Sequence, residues 1–118
     1  MTRVLVCGGR DYNDLQKIFD VLYYLDGPQH GRGPITCVIH GAAIGADSLA
    51  ALWAKKVGKQ GLPYPADWEK HGKSAGPIRN AKMLREGKPD LVVAFPGGKG
   101  TAAGFPNRAR AAPDASRD

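Results

Sequence analysis

The sequence predicts a small doubly wound α/β domain, a mainly parallel sheet of four or five strands with helices on both faces. Three observations carry that expectation. Continuous apolar runs recur at residues 3–7, 35–39 and 91–95, the pattern of parallel strands covered on both faces. Each run is followed closely by a glycine-rich turn. Segments whose apolar residues repeat every three or four positions separate the runs, as amphipathic helices require.

Taken in order, residues 3–7 form the first strand, and Gly8-Gly9 breaks it. Asn13 and Gln16 have the spacing of a capping box, and Leu15, Ile18, Phe19, Leu22 and Leu25 then recur at helical spacing until Asp26-Gly27-Pro28. A polar Gly/Pro loop leads into the second strand, residues 35–39, which ends at His40-Gly41. Ala46, Leu49, Ala50, Leu52, Trp53 and Val57 mark a second helix, with Gly58 behind it. Residues 60–62 form a short third strand, and residues 63–73 a loop whose aromatic, proline and charged content points to function. A third helix opens at Gly76-Pro77, where proline forfeits only an N–H that has no helical partner, and stops at Gly87-Lys88-Pro89. The last strand, residues 91–95, precedes Gly97-Gly98-Lys99-Gly100-Thr101 and a short helical stretch to about Ala112.

A chain of 118 residues, 42% hydrophobic and 24% charged, is expected to bury one core without metals or disulfides. One domain over residues 1–112 with a polar tail at 113–118 follows. Cys7 and Cys37 lie within strand runs and read as buried free thiols, an adventitious disulfide being the alternative. No CxxC pair or His/Cys cluster has metal-ligand spacing, so neither a metal nor an organic cofactor is expected. No apolar run is long enough to span a bilayer and no secretion signal precedes the first strand, so no membrane partner and a cytoplasmic location are expected. The net charge of +6, from 17 basic and 11 acidic residues, suits a phosphorylated small molecule as well as nucleic acid. The basic residues do not alternate with aromatics, so nucleic acid is the less favoured partner.

Ligands of parallel sheets sit beyond the carboxyl ends of the strands, where the order of winding reverses. With a strand order of 3-2-1-4, that crevice is lined by Gly8, Gly9, Arg10 and Asp11 on one side and by Gly97, Gly98, Lys99, Gly100 and Thr101 on the other. Glycines let backbone approach an anion, and helix N-termini offer unpaired N–H groups, although ordinary tight turns have the same composition. His40, Gly41, Gly45 and Asp47 follow the second strand. Asp47 either opens its helix, accepts a hydrogen bond from a ligand hydroxyl or acts as a base. Arg79 and Asn80 reach a phosphate or face solvent. Asp11 and Asp67 are further candidate acids, and Trp68 and Tyr64 stack on a base or seal the sheet. The full GxGxxG spacing, the GxxxxGK[ST] loop and an acidic residue closing the second strand are all missing, which argues against a dinucleotide enzyme and against an ATPase or GTPase.

Four segments, VLVCGGRDY at 4–12, HGAAIGAD at 40–47, YPADWEKHGKSAGPIRNAKML at 64–84 and KPDLVVAFPGGKGTA at 88–102, resemble the YspA-type (DUF2493) proteins of the SLOG superfamily. The resemblance implies a Rossmann-like fold and a nucleotide-derived ligand, with a phage or defence setting for some members. Branches of the superfamily cleave cytokinin riboside monophosphates, as the LOG phosphoribohydrolases do, or hold single-stranded DNA, as the DprA proteins do. The LOG pattern PGGxGTxxE is matched at Pro96 to Thr101, and Arg79 matches its upstream arginine, but Gly104 stands at the glutamate position. A strand usual after the last helix is replaced here by residues 113–118, which bears on a homodimer or higher homo-oligomer. The expected function is therefore binding of a phosphorylated nucleotide or nucleotide-derived molecule. N-glycoside hydrolysis with Asp47, Asp67 and Arg79 as candidate catalytic residues is the alternative, and single-stranded DNA binding comes third.

Overall fold

The computed structural model describes residues 1–28, 31 and 33–96. The expected turn Gly97 to Thr101, the helical stretch to Ala112 and the tail 113–118 lie outside them.

Strands β1 (Thr2–Cys7), β2 (Ile35–His40), β3 (Gln60–Pro63) and β4 (Leu91–Ala94) form one sheet in the order β3-β2-β1-β4. All three pairings are parallel. Helices α1 (Leu15–Asp26) and α2 (Ala46–Val57) connect β1, β2 and β3. The return from β3 to β4 runs through the short α3 (Trp68–His71), a 3-10 turn (Gly72–Ser74), α4 (Ala75–Lys82) and a π-helical turn (Met83–Gly87). This is the doubly wound, Rossmann-like arrangement, and the reversal of winding falls between β1 and β4.

The two faces have separate cores. Val4, Val6, Val38, Leu91 and Val93 pack with Ile18, Leu22 and Leu25 of α1 and Ala50, Trp53 and Ala54 of α2. Leu5, Cys37, Ile39 and Val92 pack with Met83 on the opposite face. Alternate residues of β1, β2 and β4 are therefore buried on opposite sides, which is why these strands read as apolar runs, whereas the edge strand β3 has no buried residue. Each such side chain contributes about 1.5–3 kcal/mol by leaving water. Cys7 and Cys37 are free thiols. No helix among the described residues is long and apolar enough to cross a membrane.

Local signals held with small displacements. The cap of α1 is Asp14, whose Oδ1 accepts from Lys17 N at 3.0 Å, and not Asn13; Gln16 instead donates to Asp20. Asp14→Ala is expected to lower stability by about 1 kcal/mol, read as a fall in the urea midpoint with an unchanged slope. The stretch expected as an open loop at 63–73 contains α3, capped by Asp67 through Lys70 N. Helix α4 begins at Ala75, one residue before the expected opening, so Pro77 stands in its first turn, where its missing N–H costs nothing. Lys88 ends this segment in the left-handed conformation, φ 47°.

Candidate functional site

The glycine turns after β1 and β2 meet at the carboxyl edge of the sheet. Gly9 N–H donates to Pro96 O and Phe95 N–H to Cys7 O, so the ends of β1 and β4 are tied together. The turn at Gly9 is closed by Tyr12 N–H, and the Tyr12 ring lies against Phe95 with centroids 5.3 Å apart. The helix packed on this turn is α2, not the helix that follows it in sequence. Ala46 N–H donates to Gly9 O, and a Cβ at Gly8 would stand 2.6 Å from Ala46 Cβ. Helix α1 begins only at Leu15, with its own cap.

Gly45 sits at φ 86°, ψ −133° and serves as the N-cap of α2. A side chain there would run into backbone, with Arg10 O 2.6 Å from the Cβ position and Gly9 O nearer still. Such contact is open only to glycine, and it makes residues 8–10 and 45–47 one continuous rim. The first turn of α2 carries N–H groups without intrahelical partners.

The loop between Gly41 and Gly45 is held from inside. Asp47 does not cap α2; its Oδ2 accepts from Gly41 N at 2.9 Å and from Ala43 N at 3.4 Å. His40 Nδ1 accepts from Ala42 N at 3.1 Å, so its ring proton sits on Nε2. Three successive backbone donors are thus turned onto side chains of the protein, and Ala42 takes a positive φ of 59°. Nothing in the residue type at position 42 announced this, because alanine carries no turn signal.

Arg79 closes the loop from the other face of the sheet. Its Nη1 donates to Gly41 O at 2.8 Å and its Nε to Asn80 Oδ1 at 2.9 Å, and the guanidinium lies against Gly41 where a Cβ would be. Among the described residues Nη2 has no such partner. Burial pushes the Asp47 carboxyl above its ordinary value, against the two backbone N–H groups and the Arg79 charge, which pull it down. Burial pushes the His40 imidazole below its ordinary value, which keeps it neutral and an acceptor at neutral pH.

Of the residues singled out in the sequence, Gly8, Gly9, Arg10, Gly41, Gly45, His40, Asp47, Arg79 and Asn80 come together by these contacts. Arg10 and Asp11 are exposed on the rim. Asp67 is engaged in capping α3. Trp68 is 59% exposed, and its ring edge stands over Gly76, one helical turn from Arg79. Tyr64 packs at the edge of the second core, and its N–H donates to His40 O. Gly97, Gly98, Lys99, Gly100 and Thr101 lie outside the described residues. No group of three or more His, Cys, Asp or Glu among the described residues is placed to hold a metal ion.

Residues 2–71 match the family described as YspA, cpYpsA-related SLOG. The Gene 61 protein of Mycobacterium phage D29 is 39% identical over 105 residues, which is 84% of this chain and 80% of that protein. Glycinamide ribonucleotide transformylase 1 from Symbiobacterium toebii shares the fold, with a TM-score of 0.52 and 23% identity over 92% of this chain. The matched region is 50% of the transformylase chain.

Proposed function

The chain belongs to the YspA, cpYpsA-related SLOG family, and from that premise we propose that it binds a phosphorylated nucleotide or nucleotide-derived small molecule at the carboxyl edge of its sheet. The observation that carries this reading is the contact of Gly45 with the Gly9 and Arg10 backbone. It joins the turn beside the winding reversal to the start of α2, where Ala46 N–H is taken by Gly9 O, so that the exposed Arg10 and the next N–H groups of the helix border one edge of the sheet. The phosphate takes the rim at residues 8–11. The sugar and base extend toward Asp47, Arg79 and the exposed Trp68, whose indole is available for stacking. The net charge of +6 favours an anionic ligand.

Calorimetry with nucleoside monophosphates and diphosphates tests the reading; absence of binding across the panel would overturn it. Arg79→Lys is expected to weaken binding more than about tenfold, because an ammonium cannot hold Gly41 O and Asn80 while presenting a second planar donor. Equal affinities in the two proteins would remove Arg79 from the site.

The alternative, hydrolysis of the N-glycosidic bond, is favoured by one observation. Asp47 is a buried carboxyl whose proton affinity is raised, the environment of a general acid.

A further inference from the structure

In the sequence, β2 closes on His40, and the next acidic residue is Asp47, inside the following helix. Folding returns that carboxylate to the strand end, with Oδ2 2.9 Å from the N–H of Gly41, the first residue beyond β2. The Asp47 residue is only 7% exposed. Both of its hydrogen bonds fall on Oδ2, and among the described residues Oδ1 receives none.

Oδ1 keeps contact with solvent, since among the described residues the fully buried side-chain polar atom without a partner is Trp53 Nε1, and an ionised carboxylate only accepts. A ligand group that displaces water from this oxygen must therefore be a donor, which a phosphate dianion is not and a hydroxyl is. The surroundings agree with this chemistry. Arg79 faces the carboxylate from α4 and His40, neutral, faces the same loop from β2, so the carboxylate has one cation to balance it and none to spare for a further anion. In doubly wound sheets, a carboxylate at the end of the second strand stands where the ribose lies when the phosphate occupies the glycine turn of the first. The contact of Gly45 with Gly9 and Arg10 sets the two side by side here.

We infer that Asp47 Oδ1 accepts a hydrogen bond from a ribose hydroxyl of the ligand. The site thereby selects a ribonucleotide with a free 2′,3′-diol over its dideoxy and 2′-phosphorylated analogues. This rests on the nucleotide reading above and assigns the end of the ligand that reading leaves open. Asp47 then has two duties: Oδ2 shapes the loop and Oδ1 reads the sugar.

The test uses three ligands in adenosine and guanosine form: the 5′-monophosphate, its 2′,3′-dideoxy analogue and the 2′,5′-bisphosphate. The full-length chain is expected to bind the monophosphate about tenfold or more tightly than either analogue, the range for a hydrogen bond to a charged acceptor. In Asp47→Asn, whose amide oxygen still serves Gly41 N, the preference over the dideoxy analogue should fall to about threefold or less. The bisphosphate should gain affinity, since the repelling charge is gone; a loss of structure alone would not produce that gain. Equal affinities for the monophosphate and its dideoxy analogue in the wild-type chain would overturn the inference while leaving nucleotide binding intact. So would a discrimination unchanged in a folded Asp47→Asn. If that variant fails to fold, the wild-type comparison decides alone. No binding of any of the ligands would overturn the nucleotide reading and this inference with it.

Discussion

Alanine at Gly45 is expected to lower the melting temperature by about 10 °C or more and to abolish ligand binding. The residue is held at φ 86°, ψ −133°, a conformation in which a non-glycine residue costs about 1–3 kcal/mol. Its Cβ would also stand 2.6 Å from Arg10 O, so the backbone of the first turn or the start of α2 has to move. A combined loss of about 3 kcal/mol corresponds to a shift of that size in a domain of this length. Gly58 is the control. It too has a positive φ, 79°, but ends α2 in the left-handed conformation with no atom within 4 Å of its Cβ position. Gly58→Ala should therefore cost only about 1 kcal/mol and leave binding unchanged. Thermal unfolding followed by circular dichroism, with the same nucleotide panel, measures both. Equal melting temperatures for Gly45→Ala and Gly58→Ala would show that the contact between the two turns carries no strain.

Release of free base from a nucleoside monophosphate is expected to run about 10² to 10⁴ times more slowly than with a positioned glutamate. Gly104 stands where the PGGxGTxxE pattern has its acid, and glycine can neither move a proton nor stabilise a cationic sugar. Binding through backbone N–H groups does not depend on that position. The remaining candidate is Asp47, which has the raised proton affinity of an acid but spends Oδ2 on the loop. Chromatography of the products separates the outcomes. Turnover of about 1 per second or faster, an ordinary enzyme rate, would overturn the binder reading. Loss of that turnover in Asp47→Asn, with binding retained, would make Asp47 the acid or base. A slow or absent reaction in the wild-type chain leaves a binding protein.

Much of the fold was legible because local rules and global packing agree in it. A strand buried on both faces must be apolar throughout, so residues 3–7, 35–39 and 91–95 could be read directly. The order 3-2-1-4, taken from the sequence as the arrangement that lets the glycine turns share one crevice, is the order observed. The departures were local and short in range. Asp14 took the cap expected of Asn13, and α3 formed inside a stretch whose prolines and glycines signal a loop.

The site was legible as a set of residue types and not as a set of contacts. By itself the sequence determined which positions carry glycine, carboxylate and guanidinium at the ends of strands, because those types answer to backbone geometry and charge within a few residues. Only the tertiary structure decided that α2 and not α1 packs on Gly8 and Gly9, and that Arg79 crosses from the opposite face of the sheet to Gly41 O. It alone returned Asp47 to the end of β2, where the sequence spacing showed no acid. The reason is physical: these contacts join segments between 6 and 38 residues apart. Their geometry is set by how helices and strands stack against one another, a property that no local pattern of residues encodes.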